Sequence, residues 1–108
     1  MIPALKALFL VMIPAAMAHG PNLTEIGSRT EFRQCTTDPR PIFEKTCIPV
    51  SSTGATNFSI PVGCREYGNS DCNGNYTAVG YRPGCYENTR FLEPFDHASE
   101  GGLYCFAT

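Results

Sequence analysis

Six cysteines, Cys35, Cys47, Cys64, Cys72, Cys85 and Cys105, all follow a leader-like N-terminus. That combination constrains the fold more than any other feature of the chain. An exported chain enters an oxidising compartment, where an even set of thiols closes into disulfides. In the leader, Lys6 supplies the positive end and Ala7 to Ile13 the apolar run. Pro14 breaks the run, and Ala16-Met17-Ala18 presents the small-x-small pattern of a cleavage site. The run is too short for a membrane span, which needs about 20 apolar residues. Residues 1–18 therefore read as a signal peptide, and the product as secreted and extracellular, with no membrane partner.

Removing 18 of the 108 residues leaves 90, a single small domain. A core of that size is marginal, and disulfides compensate for it. The gaps between successive cysteines are 11, 16, 7, 12 and 19 residues. No C-x-x-C pair exists, so the zinc-knuckle and thioredoxin-type spacings are missing. Three disulfides are expected, with the pairing left open. Loss of Lys6 with the leader takes the formal charge from −2 to −3. Without clustered Lys and Arg, a phosphate-tracking nucleic-acid binder is disfavoured. Three N-glycosylation triplets begin at Asn22, Asn57 and Asn75.

Short apolar runs punctuated by Gly, Pro, Asn and Ser predict an all-β or α+β fold, a small disulfide-stabilised sandwich or barrel. Residues 19–30 read as a flexible polar arm and 31–108 as the domain. Strands are expected over 31–36, with Phe32 facing inward, and over 42–50, where Pro49 indicates an edge. A third is expected over 57–67, interrupted by Pro61. Residues 68–75 are a turn-rich loop held by Cys72. Two runs flanking Arg82-Pro83-Gly84 predict a β-hairpin over 75–92, with Tyr76 and Tyr86 as a cross-strand pair. A helical turn is expected within 93–102, and a final strand over 102–106.

Candidates for chemistry are few. No Gly-x-Ser-x-Gly elbow is present, and the cysteines are expected to be oxidised. The acid pairs Asp96/Glu100 and Glu87/Glu93 suit a solvated surface better than a catalytic dyad. A non-enzymatic protein is expected. Five tyrosines, Tyr67, Tyr76, Tyr81, Tyr86 and Tyr104, lie near Asn- and Gly-rich turns and suggest a glycan or cell-wall binding face. The loop residues Asn69, Asp71 and Asn73 and the turn residue Arg82 are the expected exposed recognition elements.

Cleavage after Ala18 would make His19 the mature N-terminus. Its amine and ring nitrogen, with His97 as second imidazole, could chelate copper. His19-Gly20 with His97 resembles the histidine brace of copper-dependent polysaccharide monooxygenases and their small copper-binding relatives. As a whole, the leader 1–18, the mature length and the Cys35–Cys105 framework resemble the small cysteine-rich secreted proteins of fungi, a class of candidate effectors. That resemblance implies an extracellular protein, involved in virulence, that acts by binding a host or microbial protein or glycan; a monomer without a cofactor is expected, with copper as the alternative.

Each disulfide restricts the unfolded chain and contributes about 2–4 kcal/mol. The melting temperature is therefore expected to collapse in reductant. A melt unchanged by reductant, measured by circular dichroism, overturns this.

Overall fold

A computed structural model describes residues 23–96 and 98–108. The leader, His19, Asn22 and His97 lie outside the described residues. The chain forms strands β1 (Glu25–Thr30), β2 (Arg40–Phe43), β3 (Cys47–Ser51), β4 (Ala55–Phe58), β5 (Val62–Tyr67), β6 (Tyr76–Tyr81), β7 (Gly84–Glu87) and β8 (Glu100–Ala107). One helical turn, α1 (Thr89–Leu92), runs into a 3-10 turn over Glu93–Phe95. The strands build two antiparallel sheets, ordered β2-β1-β4-β7 and β3-β8-β5-β6. These two layers make the expected all-β sandwich, and neither sheet closes into a barrel.

Alternation decides which side chains meet between the layers. In the first sheet Ile26, Ile42, Phe58 and Tyr86 face inward; in the second, Ile48, Val50, Val62, Cys64, Tyr81, Leu103 and Cys105 do. A bulge between Glu25 and Gly27 in β1 breaks its register against β2. A β-carbon at Gly27 would lie 1.8 Å from the Asn57 carbonyl oxygen, so glycine is what lets β1 close on β4. Phe58, Tyr86, Tyr81 and Phe91 form one aromatic cluster across the interlayer space, with centroid separations of 5.2–6.4 Å. Aromatic pairs in this range add stabilisation beyond area burial.

Several local expectations are corrected. Residues 25–30 are not a flexible arm: β1 pairs with β2 on one side and β4 on the other. Ile26, fully buried, pulls this otherwise polar segment into the core. Residues 31–36 form no strand, and Phe32 is 51% exposed rather than inward. Residues 42–50 split into β2 and β3, and residues 57–67 into β4 and β5 at Ser59-Ile60-Pro61. The hairpin over 75–92 does not form. Its two runs are strands β6 and β7, but β6 pairs with β5 while β7 pairs with β4 in the opposite sheet. Arg82-Pro83 is a crossing between layers, and Tyr76 lies opposite Tyr67, not Tyr86. The helical turn expected from Glu93 is present as the 3-10 turn over Glu93–Phe95, but it continues an earlier turn, α1, whose Phe91 and Leu92 are buried in the core.

The disulfides are Cys35–Cys85, Cys47–Cys72 and Cys64–Cys105. The last joins directly opposite residues of β5 and β8. The first holds loop 31–39 across the outer face of the first sheet, helped by the Thr30 hydroxyl donating to the Thr37 carbonyl. Three disulfides in so small a chain fit an oxidising, extracellular-type environment. Among the described residues no helix is long and apolar enough to cross a membrane.

Two carboxylates sit inside this framework and respond oppositely to pH. Glu44 accepts from the Thr24 and Ala107 amides, tying the chain just before β1 to β8. Hydrogen bonding from Thr24, and then from Ala107, holds its carboxyl below the usual range, against its own burial. Glu66 is 2% exposed, and the Tyr81 hydroxyl donates to it. Burial pushes the Glu66 carboxyl up, opposed by that hydrogen bond and by the charge of Arg90. A carboxyl raised by folding favours the native state most below the ordinary carboxylate range, about pH 4, and that advantage is lost as pH rises through its folded value. Glu44 contributes the reverse: its stabilisation is present above that range and is lost as pH falls. Glu66→Gln keeps an acceptor for Tyr81 without a buried charge. It is expected to melt above the wild type at neutral pH, with the gap closing toward about pH 4. A gap independent of pH refutes this.

Candidate functional site

The outer face of the second sheet is the most organised exposed surface of the molecule. Strand alternation sends Gly63, Arg65 and Tyr67 of β5 outward, with Tyr76, Ala78 and Gly80 of β6 opposite them. From β8, Tyr104 and Phe106 lie opposite Arg65 and Gly63. The Arg65 guanidinium lies over three rings, 4.9 Å from the Tyr76 centroid, 5.4 Å from Phe106 and 5.9 Å from Tyr104. Tyr67 packs against Tyr76 at 5.5 Å, and Tyr104 against Phe106 at 5.3 Å. Beside this cluster runs a shallow trough of about 480 Å³. Gly63, Ala78 and Gly80 form its floor, with Arg65, Tyr76 and Phe106 as walls. The missing side chains of the two glycines leave the depression.

Electrostatically the face is simple. Arg65 is half-buried and is the one charged residue that lines the trough. The neighbouring Glu66 points into the core, as alternation requires. Glu100, the outward acid of β8, lies four residues from Tyr104, roughly 13 Å along the strand. Among the described residues the one ion pair is Arg33–Glu87, at 3.6 Å on the other sheet. No side-chain hydrogen bond among the described residues occupies the Arg65 donors. A guanidinium held by rings keeps its N–H donors available, and such a group can bind an anion.

The structure divides the expected binding residues. Of the five tyrosines, Tyr67, Tyr76 and Tyr104 share this face. Tyr81 and Tyr86 belong to the interlayer cluster, and the Tyr86 hydroxyl donates to the Arg82 carbonyl. Arg82 is exposed at one end of β6, while Asp71 and Asn73 are exposed in the loop at its other end. They do not form one patch. Asn69 is a scaffold residue: its side-chain amide donates to the Asn73 carbonyl at 2.7 Å, and its carbonyl oxygen accepts from the Asp71 and Asn73 amides. Arg65 and Phe106 were missed by sequence reasoning. The two-residue spacings Arg65/Tyr67 and Tyr104/Phe106 were the available signal.

For the copper reading, His19 and His97 are outside the described residues. Among the described residues no three His, Cys, Asp or Glu side chains cluster in metal-binding geometry. Of the acid pairs, Asp96 and Glu100 flank the start of β8, and Glu87 and Glu93 line a polar surface groove with Arg90. No family model, curated protein or solved structure matches this chain.

Because three hydrogen bonds converge on Asn69, Asn69→Ala is expected to loosen loop 68–75 and cost about 1–2 kcal/mol, at a net value near 1 kcal/mol or less per exposed bond. Faster hydrogen exchange at the Asp71 and Asn73 amides is the readout. Unchanged exchange refutes the scaffold role.

Proposed function

We propose that this chain is a secreted, non-catalytic recognition module that holds an acidic polysaccharide on the outer face of its second sheet. The observation that carries the reading is Arg65: a guanidinium without a carboxylate partner among the described residues, framed by rings and the one charged residue lining the trough. A sugar ring offers a flat C–H surface to Tyr76 or Phe106, and a uronate carboxylate can take paired N–H bonds from Arg65. The shallow, open trough suits a chain polymer that enters and leaves lengthwise. The leader 1–18 and the disulfide framework support a place outside the cell. In that setting the small cysteine-rich effector class gives the module a natural role, engaging host or microbial wall material.

The first experiment compares binding to soluble polygalacturonate and to neutral polymers, β-glucan and chitin oligomers, by calorimetry. The wild type is expected to prefer the uronate polymer. Arg65→Ala is expected to weaken that binding by about 10–100-fold, the equivalent of a charge-assisted bond of roughly 1.5–3 kcal/mol. Tyr76→Ala and Phe106→Ala should each cost about 2–10-fold, from ring contacts worth roughly 0.5–1.5 kcal/mol. Equal binding to neutral polymers, untouched by Arg65→Ala, removes the acidic-sugar reading. Absence of binding to every polymer removes the glycan reading altogether. Binding of an acidic peptide alone, lost on Arg65→Ala, would make the face a protein-recognition site.

A further inference from the structure

The sandwich has four edge strands, β2 and β7 in the first sheet and β3 and β6 in the second. An open edge offers unpaired backbone groups to any passing strand, and secreted proteins must block it. Three of these edges carry a recognisable block. Pro41 and Arg40 lie in β2, and Pro49 lies in β3. Strand β7 has only four residues, ends on Glu87, and is tied through Cys85 to loop 31–39. Strand β6, Tyr-Thr-Ala-Val-Gly-Tyr, has six residues, no proline and no charge. It is long, apolar enough to pair, and exposed over most of its length, with Tyr76 at 49%. By the rule the other three edges obey, β6 lacks its guard.

The missing guard is written into the strand itself. The triplet Asn75-Tyr76-Thr77 begins one residue before β6 and ends inside it. Asn75 is exposed. The other described triplet starts at Asn57, half-buried in β4 and paired on both sides, where no edge needs protection. We infer that Asn75 carries an N-linked glycan whose role is to shield the β6 edge and keep the protein monomeric. The inference rests on the leader directing the chain into the secretory pathway, and not on the polysaccharide reading.

The modification is a group transfer onto the Asn75 side-chain amide. A lipid-diphosphate-linked oligosaccharide is the donor. Its anomeric C1–O bond breaks, the N–C1 bond forms, the diphosphate departs with the bonding electrons, and the amide loses one proton to the transferring enzyme's base. The product is a bulky, hydrated group at the head of the strand. A second strand cannot lie beside β6 in register without displacing it. Asn75 adjoins the Tyr76 wall of the trough, whereas Gly80 on its floor lies five residues away, roughly 16 Å along the strand, so the glycan stands at one end of the trough and leaves the Gly80 end clear.

The test uses the full chain secreted from eukaryotic cells. Glycopeptide mass spectrometry should find the glycan on Asn75. Asn75→Gln and Thr77→Val each delete the triplet, and both are expected to shift the protein from monomer to dimer or larger species by light scattering, with the wild-type melt retained. Thr77→Lys also deletes the triplet but places a charge on the edge; it should remain monomeric without a glycan. Trimming the folded wild type to a single N-acetylglucosamine with an endoglycosidase should promote self-association without any substitution. An unmodified Asn75 overturns the proposal. So does a monomeric state for Asn75→Gln, Thr77→Val and the trimmed protein alike. Self-association of Thr77→Lys to the same extent as Thr77→Val would show that the contact is not made through the β6 edge.

Discussion

The two sheets of this sandwich face each other across a buried aromatic stack, and the rest of the structure depends on that contact, with Arg29 and Asn88 adding hydrogen bonds from the first layer to the Pro49 and Ser51 carbonyls of the second. No disulfide crosses between the layers. Cys64–Cys105 lies within the second sheet, Cys47–Cys72 ties its edge strand to a loop, and Cys35–Cys85 ties a loop to the edge of the first. What fills the space between them is the stack of Phe58 on Tyr81, 5.6 Å apart, with Tyr86 and Phe91 closing the cluster. Burying each such side chain contributes roughly 1.5–3 kcal/mol. The cross-links act on the unfolded chain and on the loops, while the rings decide that the sheets face each other. The Tyr81–Glu66 pair beside them adds a polar requirement: the Tyr81 hydroxyl needs an acceptor at that depth, and Glu66 supplies it.

Much of this layering was legible in the sequence wherever period-two alternation was enough. Tyr76 and Tyr81 are five residues apart in one strand, so they face opposite sides. Tyr104 and Phe106, two apart, face the same side. The final strand was readable for a similarly local reason. What local patterning cannot encode is where a strand goes after its turn. Pro83-Gly84 suits a hairpin, yet the same two residues carry the chain across to the other layer, because Phe58 and Tyr81 meet only if β6 and β7 lie in opposite sheets. Likewise β1 looks like an arm: its inward side depends on Ile26 and on Gly27, whose value is a close approach to β4 visible only in three dimensions.

The candidate site was half legible for the same reason. The tyrosines stand out as a composition, but their division into two sets follows from register. Arg65 gave no signal as a lone arginine. It becomes distinctive only when β6 and β8 bring Tyr76, Tyr104 and Phe106 around it. The Asn-rich loop pointed the other way. Its composition suggests recognition, while the hydrogen bonds of Asn69 spend that side chain on the shape of the loop.

The two outer faces explain why the open one lies on the second sheet. On the first, loop 31–39 folds back under the Cys35–Cys85 bridge, which leaves Thr30 and Ala55 buried although both belong to the outward register. On the second, loop 68–75 is drawn by Cys47–Cys72 over Gly102, where a β-carbon would meet the Cys72 sulfur at 2.7 Å, and so covers only that end. Beyond it the face is bare from Arg65 to the glycine floor. Small sandwiches have little core to spare, and an uncovered ring-lined surface costs solubility unless it has a use. Disulfides that pin one loop across a face and the other to its end therefore also determine which face stays open for the proposed ligand. The rigid layers below, held by the Phe58–Tyr81 stack, keep Arg65 and its rings in fixed relation, so a ligand there meets a surface already ordered.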